Sequence, residues 1–150
     1  MSRIEVKNQN DIEKLLTEYG GFHDSCIATL NYKSGARVDG KTKAMSFGRA
    51  SNRELYVNFQ RQWEPVELEL CFTGVRRLHL VGWQDSYLCD IIDCYLSFHR
   101  NLLSGNPEDV IAWADTDLFD PTKVSESNQM AESAHTYIIS NNLKWRIVNK

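Results

Sequence analysis

Residues 54–81 read ELYVNFQRQWEPVELELCFTGVRRLHLV. Apolar and polar residues alternate in three segments of this stretch, which are Glu54 to Trp63, Val66 to Phe72 and Val75 to Val81. Such alternation is typical of strands that bury one face. Pro65 interrupts the pattern after the first segment, and Thr73-Gly74 after the second is typical of a turn. The stretch therefore predicts three consecutive antiparallel strands, half buried and half exposed to water.

An amphipathic helix is predicted upstream of these strands, from Asn10 to Tyr19. Asn10 is a preferred N-cap residue, and Glu13 stands three positions later as the second member of a capping box. Gly20 and Gly21 follow and are expected to end the helix. The apolar residues at helical spacing, which share one face, are Ile12, Leu15, Leu16 and Tyr19.

Further strands are predicted on both sides of the central stretch. Ser25 to Lys33 alternates, and the residues expected on its buried face are Cys26, Ala28, Leu30 and Tyr32. The shorter strand candidates are Ala44 to Phe47, His135 to Ser140 and Lys144 to Val148. Residues 116–134 are rich in acids and serines and contain few apolar residues, which predicts a long mobile loop.

Residues 86–103 fit two interpretations. The first is a helix from Ser86 to Leu96, capped by Asp85 or Ser86. The apolar face of that helix would be Leu88, Ile91, Ile92 and Tyr95. The second is a strand from Cys94 to Leu103 that pairs with Val110 to Asp115. Under either interpretation we expect the α+β class, with one curved, mostly antiparallel sheet of about seven strands and one or two packed helices.

Size and charge restrict the class of protein. The chain has 150 residues, which predicts a single domain over residues 1–150. A net charge of −3 and a pI near 5.8 disfavour nucleic-acid binding, because proteins that bind nucleic acids use strongly basic surfaces. No apolar run approaches the about 18 residues of a membrane span, and no signal-peptide pattern follows Met1. We therefore expect a cytoplasmic protein that does not enter a membrane.

The cysteines and the missing motifs argue against a cofactor. Cysteines stand at positions 26, 71, 89 and 94, and no two have the spacing of a zinc knuckle or a redox dithiol. All four have apolar neighbours, which predicts buried free thiols. The chain also lacks a glycine-rich phosphate loop, a His-Glu-x-x-His motif, a Gly-x-Ser-x-Gly motif and a dinucleotide fingerprint. No cofactor is predicted.

The densest group of polar side chains is His23-Asp24-Ser25, which follows the predicted helix and its two glycines. In a catalytic role, His23 would be a general base and Ser25 a nucleophile. Neighbouring residues in extended chain point to opposite faces, so a catalytic triad would need partners from elsewhere. The other interpretation is a turn in which Asp24 or Ser25 binds loop amides. These three residues are the candidates for catalysis.

Acidic residues are candidates for binding. Asp115, Asp117 and Asp120 are spaced like the first ligands of a calcium loop. The glycine and the closing glutamate that such a loop requires are missing, so no metal is predicted and solvated loop acids are the simpler interpretation. A metal site would further require that the fold bring His23 or His135 to these carboxylates.

Two tryptophans are also candidates for binding. Trp63 and Trp83 stand beside polar residues at predicted strand ends. An indole in such a position is typical of a binding anchor, because it buries much area at little entropic cost. It is also typical of a side chain that closes the end of a core.

Two parts of the chain together resemble a known group of proteins. One is Tyr19-Gly20-Gly21-Phe22-His23-Asp24-Ser25-Cys26, and the other combines Trp113-Ala114-Asp115 with Thr136-Tyr137-Ile138-Ile139 and Leu143-Lys144-Trp145-Arg146-Ile147. The chain resembles small bacterial proteins that carry a Phe-His-Asp segment near the N-terminus, some of which are grouped with immunity proteins of polymorphic toxin systems. The resemblance implies a bacterial, cytosolic, single-domain binding protein. It assigns no catalytic residues.

These observations favour a non-enzymatic module that binds another protein, such as an immunity or inhibitor protein. The candidate contacts are Trp63, Trp83, Asp115, Asp117 and Asp120. The alternative is a small hydrolase or metal-dependent enzyme that uses His23 and Asp24. A third interpretation is a homo-oligomer joined through sheet edges.

Overall fold

The computed structural model describes residues 2–82, 89–103, 107–125 and 135–148. The chain begins with β1 (Ile4–Glu5), α1 (Gln9–Glu18), a 3-10 helix (Gly20–Phe22), β2 (Ser25–Lys33), β3 (Arg37–Val38) and β4 (Met45–Ser46). It continues with a 3-10 helix (Ala50–Asn52), β5 (Glu54–Arg61) and β6 (Glu67–His79). The last elements are β7 (Tyr95–Arg100), β8 (Asp109–Ala114), a 3-10 helix (Pro121–Ser125) and β9 (Tyr137–Val148).

One curved antiparallel sheet dominates the fold. Its strand order is β2-β5-β6-β9-β8-β7. The seventh strand, β1, pairs with the C-terminal half of β9. Strands β3 and β4 form a separate two-stranded sheet. The helix α1 packs on the concave core of the large sheet through its buried residues Ile12 and Leu15. The predicted α+β architecture is confirmed.

The predicted turn at Thr73-Gly74 is wrong, because β6 runs through it as one strand of 13 residues. Gly74 has φ +69° and donates its N–H to the Arg53 carbonyl at 2.9 Å. A Cβ at Gly74 would stand 2.5 Å from Asn141 Oδ1, so the position requires glycine for space as well as for backbone angle. The register with β9 shifts between Val75 and Arg77, so the irregularity is a bulge rather than a turn.

This correction changes the topology. Strands β5 and β6 form the predicted hairpin, but the second neighbour of β6 is the C-terminal strand β9. The predicted meander of three consecutive strands is therefore wrong. The two predicted C-terminal strands are also one strand, β9, which runs through Asn141 and Asn142 without a break.

The first helix and the strand after it also differ from the prediction. Helix α1 begins at Gln9, and its N-cap is Asn8, whose side chain accepts a hydrogen bond from the Asp11 N–H at 2.9 Å. The predicted cap at Asn10 is wrong by two positions. Strand β2 has the predicted bounds, but a register shift between Ile27 and Thr29 breaks the period of two. As a result the core contacts come from Ile27 and Leu30, so the predicted buried face is confirmed at Leu30 and wrong at Ala28 and Tyr32, which are exposed.

The strand interpretation of residues 94–103 is confirmed for six residues of that range. Tyr95–Arg100 forms β7 and pairs with Asp109–Ala114. Within the described residues 89–103 there is no helix. Trp83 and the proposed caps Asp85 and Ser86 lie outside the described residues. Of the predicted loop 116–134, residues 116–125 are described and contain a 3-10 helix, while 126–134 lie outside the described residues.

Two hydrophobic clusters lie against the sheet. The larger contains four aromatic rings in edge-to-face contact, with centroids 4.9 to 5.9 Å apart: Tyr19, Phe22, Phe59 and Trp113. The smaller is covered by the segment after β8 and includes Tyr95, Phe119, Val124 and Tyr137. In the part of the chain that is described, no helix is long and apolar enough to cross a membrane.

Candidate functional site

The first and last strands in the order of the large sheet, β2 and β7, approach each other next to the Phe-His-Asp segment. Ser25, the first residue of β2, forms an isolated antiparallel bridge with Ile91, which precedes β7. The Asp24 N–H donates to the Ile91 carbonyl at 2.7 Å, and the Ile91 N–H donates to the Ser25 carbonyl at 2.8 Å. We call residues 20–26 and 89–94 the seam. Its backbone pairing joins segments that are far apart in the sequence.

The seam contains a run of left-handed backbone conformations. Gly20 and Gly21 have φ +57° and +65°, and the non-glycine residues Phe22 and Asp24 have φ +66° and +57°. Non-glycine residues adopt this region at a cost of roughly 1–2 kcal/mol each. Phe22 is fully buried among three aromatic rings, and the Asp24 N–H is bound to Ile91, so packing and hydrogen bonding offset the cost. The loop geometry is therefore fixed by the core beneath it.

Ser25 has a structural contact. Its side chain is fully buried, and Oγ donates to the Phe22 carbonyl at 2.6 Å. The neighbouring His23 side chain is exposed and is directed to Ile92 instead. The structure therefore places these two side chains in different environments and gives Ser25 Oγ a carbonyl partner rather than a general base.

His23 is held by the opposite segment of the seam. Its Nδ1 lies 2.6 Å from the Ile92 carbonyl, and because a carbonyl only accepts, Nδ1 carries the proton. Nε2 lies 3.5 Å from Asp24 Oδ2. The hydrogen bond to Ile92 raises the pKa of His23, and the negative charges of Asp24, Asp93 and Asp90 raise it further. The raised pKa of His23 therefore has two causes, first the hydrogen bond to Ile92 and second the surrounding acids.

The outer surface of the seam combines carboxylates with an exposed apolar side chain. Asp24, Asp90 and Asp93 are all exposed. Ile92 is 69% exposed, whereas its neighbour Ile91 is 2% exposed and packs in the core. The chain bends at Ile92 and Asp93, so the prediction that Ile91 and Ile92 share the buried face of a helix is wrong for Ile92. The result is an exposed aliphatic side chain on a segment that also exposes Asp90 and Asp93.

Arg61 connects Trp63 to the seam. Its guanidinium lies over the Tyr19 ring at 4.3 Å and within 5.4 Å of the Trp63 ring. The same group donates to the Pro65 carbonyl at 2.8 Å and to the Glu64 carbonyl at 3.0 Å, which fixes the turn between β5 and β6. A Cβ on Gly20 would stand 3.2 Å from Arg61 Nη1. Trp63, which is 44% exposed, is therefore held beside the seam.

Asp115 lies in a different environment, at the end of β8. Its side chain is only 12% exposed, and Oδ1 lies 3.9 Å from His135 Nδ1. Burial raises the pKa of Asp115, against the opposing effects of the Thr136 backbone and the His135 charge. The fold thus brings His135 to this acid, whereas His23 lies beside the acids of the seam. Among the residues that the structure describes, no group of three metal-ligating side chains occurs.

The other two predicted acids differ in exposure and in role. Asp120 Oδ1 accepts hydrogen bonds from the Thr122 N–H at 3.0 Å and from its hydroxyl at 2.6 Å. These bonds lower the pKa of Asp120. Asp117 is exposed beside Leu118, which is 81% exposed. The carboxylate of Asp120 therefore holds the segment that leads into the last 3-10 helix.

A larger groove lies elsewhere and has a volume of about 890 Å³. It runs between β1 and β9 on one side and β7 on the other, and it carries charges of both signs. Those charges pair with one another: Glu5 lies 3.3 Å from Lys7 and 3.6 Å from Lys144, and Arg100 lies 3.9 Å from Asp109. Size alone therefore does not make it the stronger candidate, since it mixes three basic side chains with two acidic ones and presents no group of carboxylates.

Sequence reasoning located half of the seam and missed the other half. His23, Asp24, Ser25 and Trp63 were candidates, and the structure brings them to one end of the molecule. Asp90, Ile92 and Asp93 were not, because the helix interpretation placed Ile92 on a buried face. Trp83 lies outside the described residues. Comparison with protein-family models, curated proteins and solved structures finds no match.

Proposed function

We propose that this chain is a non-enzymatic protein-binding module and that the seam is its contact surface. The observation that carries the proposal is the exposed Ile92 side chain among Asp24, Asp90 and Asp93 on a rigid loop. The partner expected from this chemistry is a protein with a basic surface and an apolar pocket. In its narrower form, the chain is a cytoplasmic bacterial immunity protein that neutralises a toxin.

Rigidity supports binding because association is penalised by the ordering of loops and side chains. The seam is held by backbone hydrogen bonds between Asp24 and Ile91, between Ile91 and Ser25, and between the Cys94 N–H and the Gly21 carbonyl at 3.3 Å. A partner therefore meets a surface that needs little further ordering. Since backbone groups hold the seam, the carboxylates of Asp90 and Asp93 are exposed to a partner, and that of Asp24 is half exposed beside His23 Nε2.

Charge and apolar contact contribute different parts of the interaction. Carboxylates on the rim of an interface mainly speed the encounter with a basic partner. Buried apolar and aromatic side chains near the centre mainly slow its dissociation. On this surface Asp24, Asp90 and Asp93 would speed association. Ile92 and Trp63 would slow dissociation.

The hydrolase alternative draws no specific support from this geometry. Ser25 Oγ is buried and bonded to Phe22, and the proton on His23 Nδ1 is bonded to Ile92. His23 Nε2 faces Asp24, and an acid beside a histidine is as expected for a charged surface as for a catalytic pair. An enzymatic role would need a substrate site that these contacts do not outline.

The test compares two variants that lose the same charge. The seam variant is Asp24→Asn/Asp90→Asn/Asp93→Asn, and asparagine tolerates the left-handed backbone of position 24. The control variant changes exposed acids elsewhere and is Glu13→Gln/Glu18→Gln/Asp109→Asn. The wild type and both variants are immobilised and exposed to native lysate of the source cell, and the bound proteins are identified by mass spectrometry. Association rates are then measured with the purified partner.

We expect one stoichiometric partner on the wild type and on the control variant. The seam variant should associate about tenfold more slowly at low salt, because long-range attraction is lost. An additional Ile92→Ala change should raise the dissociation rate. Equal binding by the seam and control variants would contradict the assignment of the surface, and no stoichiometric partner on any of the baits would contradict the binding function.

A further inference from the structure

Two of the four cysteines face each other at the seam. Cys26 follows the bridge residue Ser25 on β2, and Cys89 precedes Ile91 on the opposite segment by two positions. Both line one open groove together with Asp24, Gln60 and Arg61. Burial raises the pKa of Cys26, and the charge and hydrogen-bonding capacity of the nearby Cys89 raise it further. The two thiols therefore share one groove at the place where the ends of the sheet meet.

The four thiols differ in accessibility. The prediction that all four are buried is wrong for Cys89, which is exposed at the rim of the groove. Cys26 is partly buried, and Cys71 is buried within β6. Burial raises the pKa of Cys94 to about 12, which makes that thiol a poor nucleophile. An oxidant in water therefore reaches Cys89 first and finds Cys26 beside it.

We propose that Cys26 and Cys89 form a reversible thiol–disulfide pair that hydrogen peroxide oxidises. One thiol lies on β2 and the other on the segment before β7. A disulfide between them would therefore add a covalent bond to the hydrogen bonds that hold the seam together. This assignment does not depend on the binding function, since it concerns only the chemistry of the two sulfurs.

The chemistry has two steps that balance. The Cys89 thiolate attacks one oxygen of peroxide, the O–O bond breaks, and the products are a sulfenic acid on Cys89 and, after protonation, one water. The Cys26 sulfur then attacks the Cys89 sulfur, the S–O bond breaks, and the hydroxyl leaves as a second water. In total the two thiols lose two protons and two electrons, and one peroxide takes them up and becomes two waters.

The order of the steps follows from the surroundings. Burial raises the pKa of Cys26, and the negative charge and hydrogen bond of Cys89 raise it further. Cys26 is therefore the slower thiol to meet peroxide and the one placed to resolve the oxidised Cys89. Reduction by dithiothreitol or glutathione reverses the product, because the groove is open to solvent.

The bond would close a long loop that contains β2 to β6. Closing such a loop restricts the unfolded chain, so oxidation should raise the midpoint of thermal unfolding by roughly 10 °C. The native seam already holds the two segments together through the Ser25–Ile91 bridge.

The experiment exposes the reduced protein to hydrogen peroxide, blocks the remaining thiols and maps the disulfides by peptide mass spectrometry. The wild type should yield an intramolecular Cys26–Cys89 peptide pair lacking two hydrogens. Cys26→Ser should instead accumulate a Cys89 sulfenic acid that dimedone labels. Cys89→Ser should give neither product. Cys71→Ser serves as the control and should behave like the wild type.

Several results would overturn the proposal. One is a disulfide between other cysteines, and another is an intermolecular Cys89–Cys89 dimer as the main product on a non-reducing gel. A third is rapid oxidation of Cys26 in the Cys89→Ser variant, which would reverse the assigned roles. The wild-type map decides the main point alone, so a poorly folded variant does not leave the pairing undecided.

Discussion

The seam and the acidic loop, residues 115–120, are both rich in aspartate and use their acids differently. In the seam the backbone groups of Asp24, Ser25 and Ile91 bond to one another, which leaves the carboxylates exposed. In the acidic loop the carboxylate of Asp120 itself binds a backbone N–H, and that of Asp115 is buried beside His135. A carboxylate is available to a partner only where other groups have satisfied the backbone.

The two regions also differ in what supports them. Phe22 anchors the seam from the centre of the larger core, in contact with Tyr19, Phe59 and Trp113. The acidic loop is anchored by Phe119, which packs on Tyr95 at the outer edge of the smaller cluster. We therefore expect the seam to unfold only with the whole protein, and the acidic loop to open more easily.

The largest expected effect comes from the two anchors. Phe22→Ala should lower the free energy of unfolding by about 3–5 kcal/mol, since it empties a fully buried site at the centre of the core. Phe119→Ala, at the edge of the smaller cluster, should cost less, about 2–3 kcal/mol. Urea unfolding monitored by tryptophan fluorescence measures both. An equal or reversed order would break the comparison.

A smaller effect is expected from the polar contacts of the two regions. Ser25→Ala removes a buried hydrogen bond to the Phe22 carbonyl and should cost about 1–2 kcal/mol. Asp120→Ala removes an exposed side-chain acceptor from the acidic loop and should move the urea midpoint less than Ser25→Ala does. Asp117→Ala is the matched control, and its midpoint should equal that of the wild type. A midpoint for Asp120→Ala below that of Ser25→Ala would place more of the stability in the loop.

Sequence patterns predicted the parts of the fold that depend on local alternation. Leu55, Val57 and Phe59 alternate in the sequence, and the structure buries all three in β5. The pattern failed at Gly74, where the local signal for a turn is overridden by pairing with β9 and by the carbonyl of Arg53. A glycine with positive φ fits a bulge as well as a turn, so the residue type alone could not decide.

The same limit explains which half of the site could be predicted. His23 and Asp24 could be singled out because glycines and polar side chains concentrate there. The exposure of Ile92 beside them depends on the bridge between Ser25 and Ile91, which no local pattern contains. Non-local pairing of this kind is where a single sequence carries least information.

The smallest effect, and the sharpest test of the comparison, is the titration of two histidines. The hydrogen bond to Ile92 and the seam acids raise the pKa of His23 above its ordinary value. Burial lowers the pKa of His99, which stacks on Tyr95 beneath the acidic loop at a centroid distance of 6.0 Å. Heteronuclear NMR of the imidazole rings against pH should therefore show two shifts of opposite sign. Asp24→Asn should lower the pKa of His23 and leave that of His99 unchanged.

The two shifts act on stability in opposite pH ranges. A raised folded-state pKa means that the contribution of His23 is present below the pKa of unfolded histidine and is lost as pH rises through the folded value. A lowered folded-state pKa means that the contribution of His99 is present above the unfolded value and is lost as pH falls through the folded value. His23→Gln should then lower the free energy of unfolding more at pH 5 than at pH 8. His99→Gln should lower it less at pH 5 than at pH 8. An unchanged pKa of His23 in Asp24→Asn would show that the seam acid does not act on this ring, and the charge argument for the partner would fail with it.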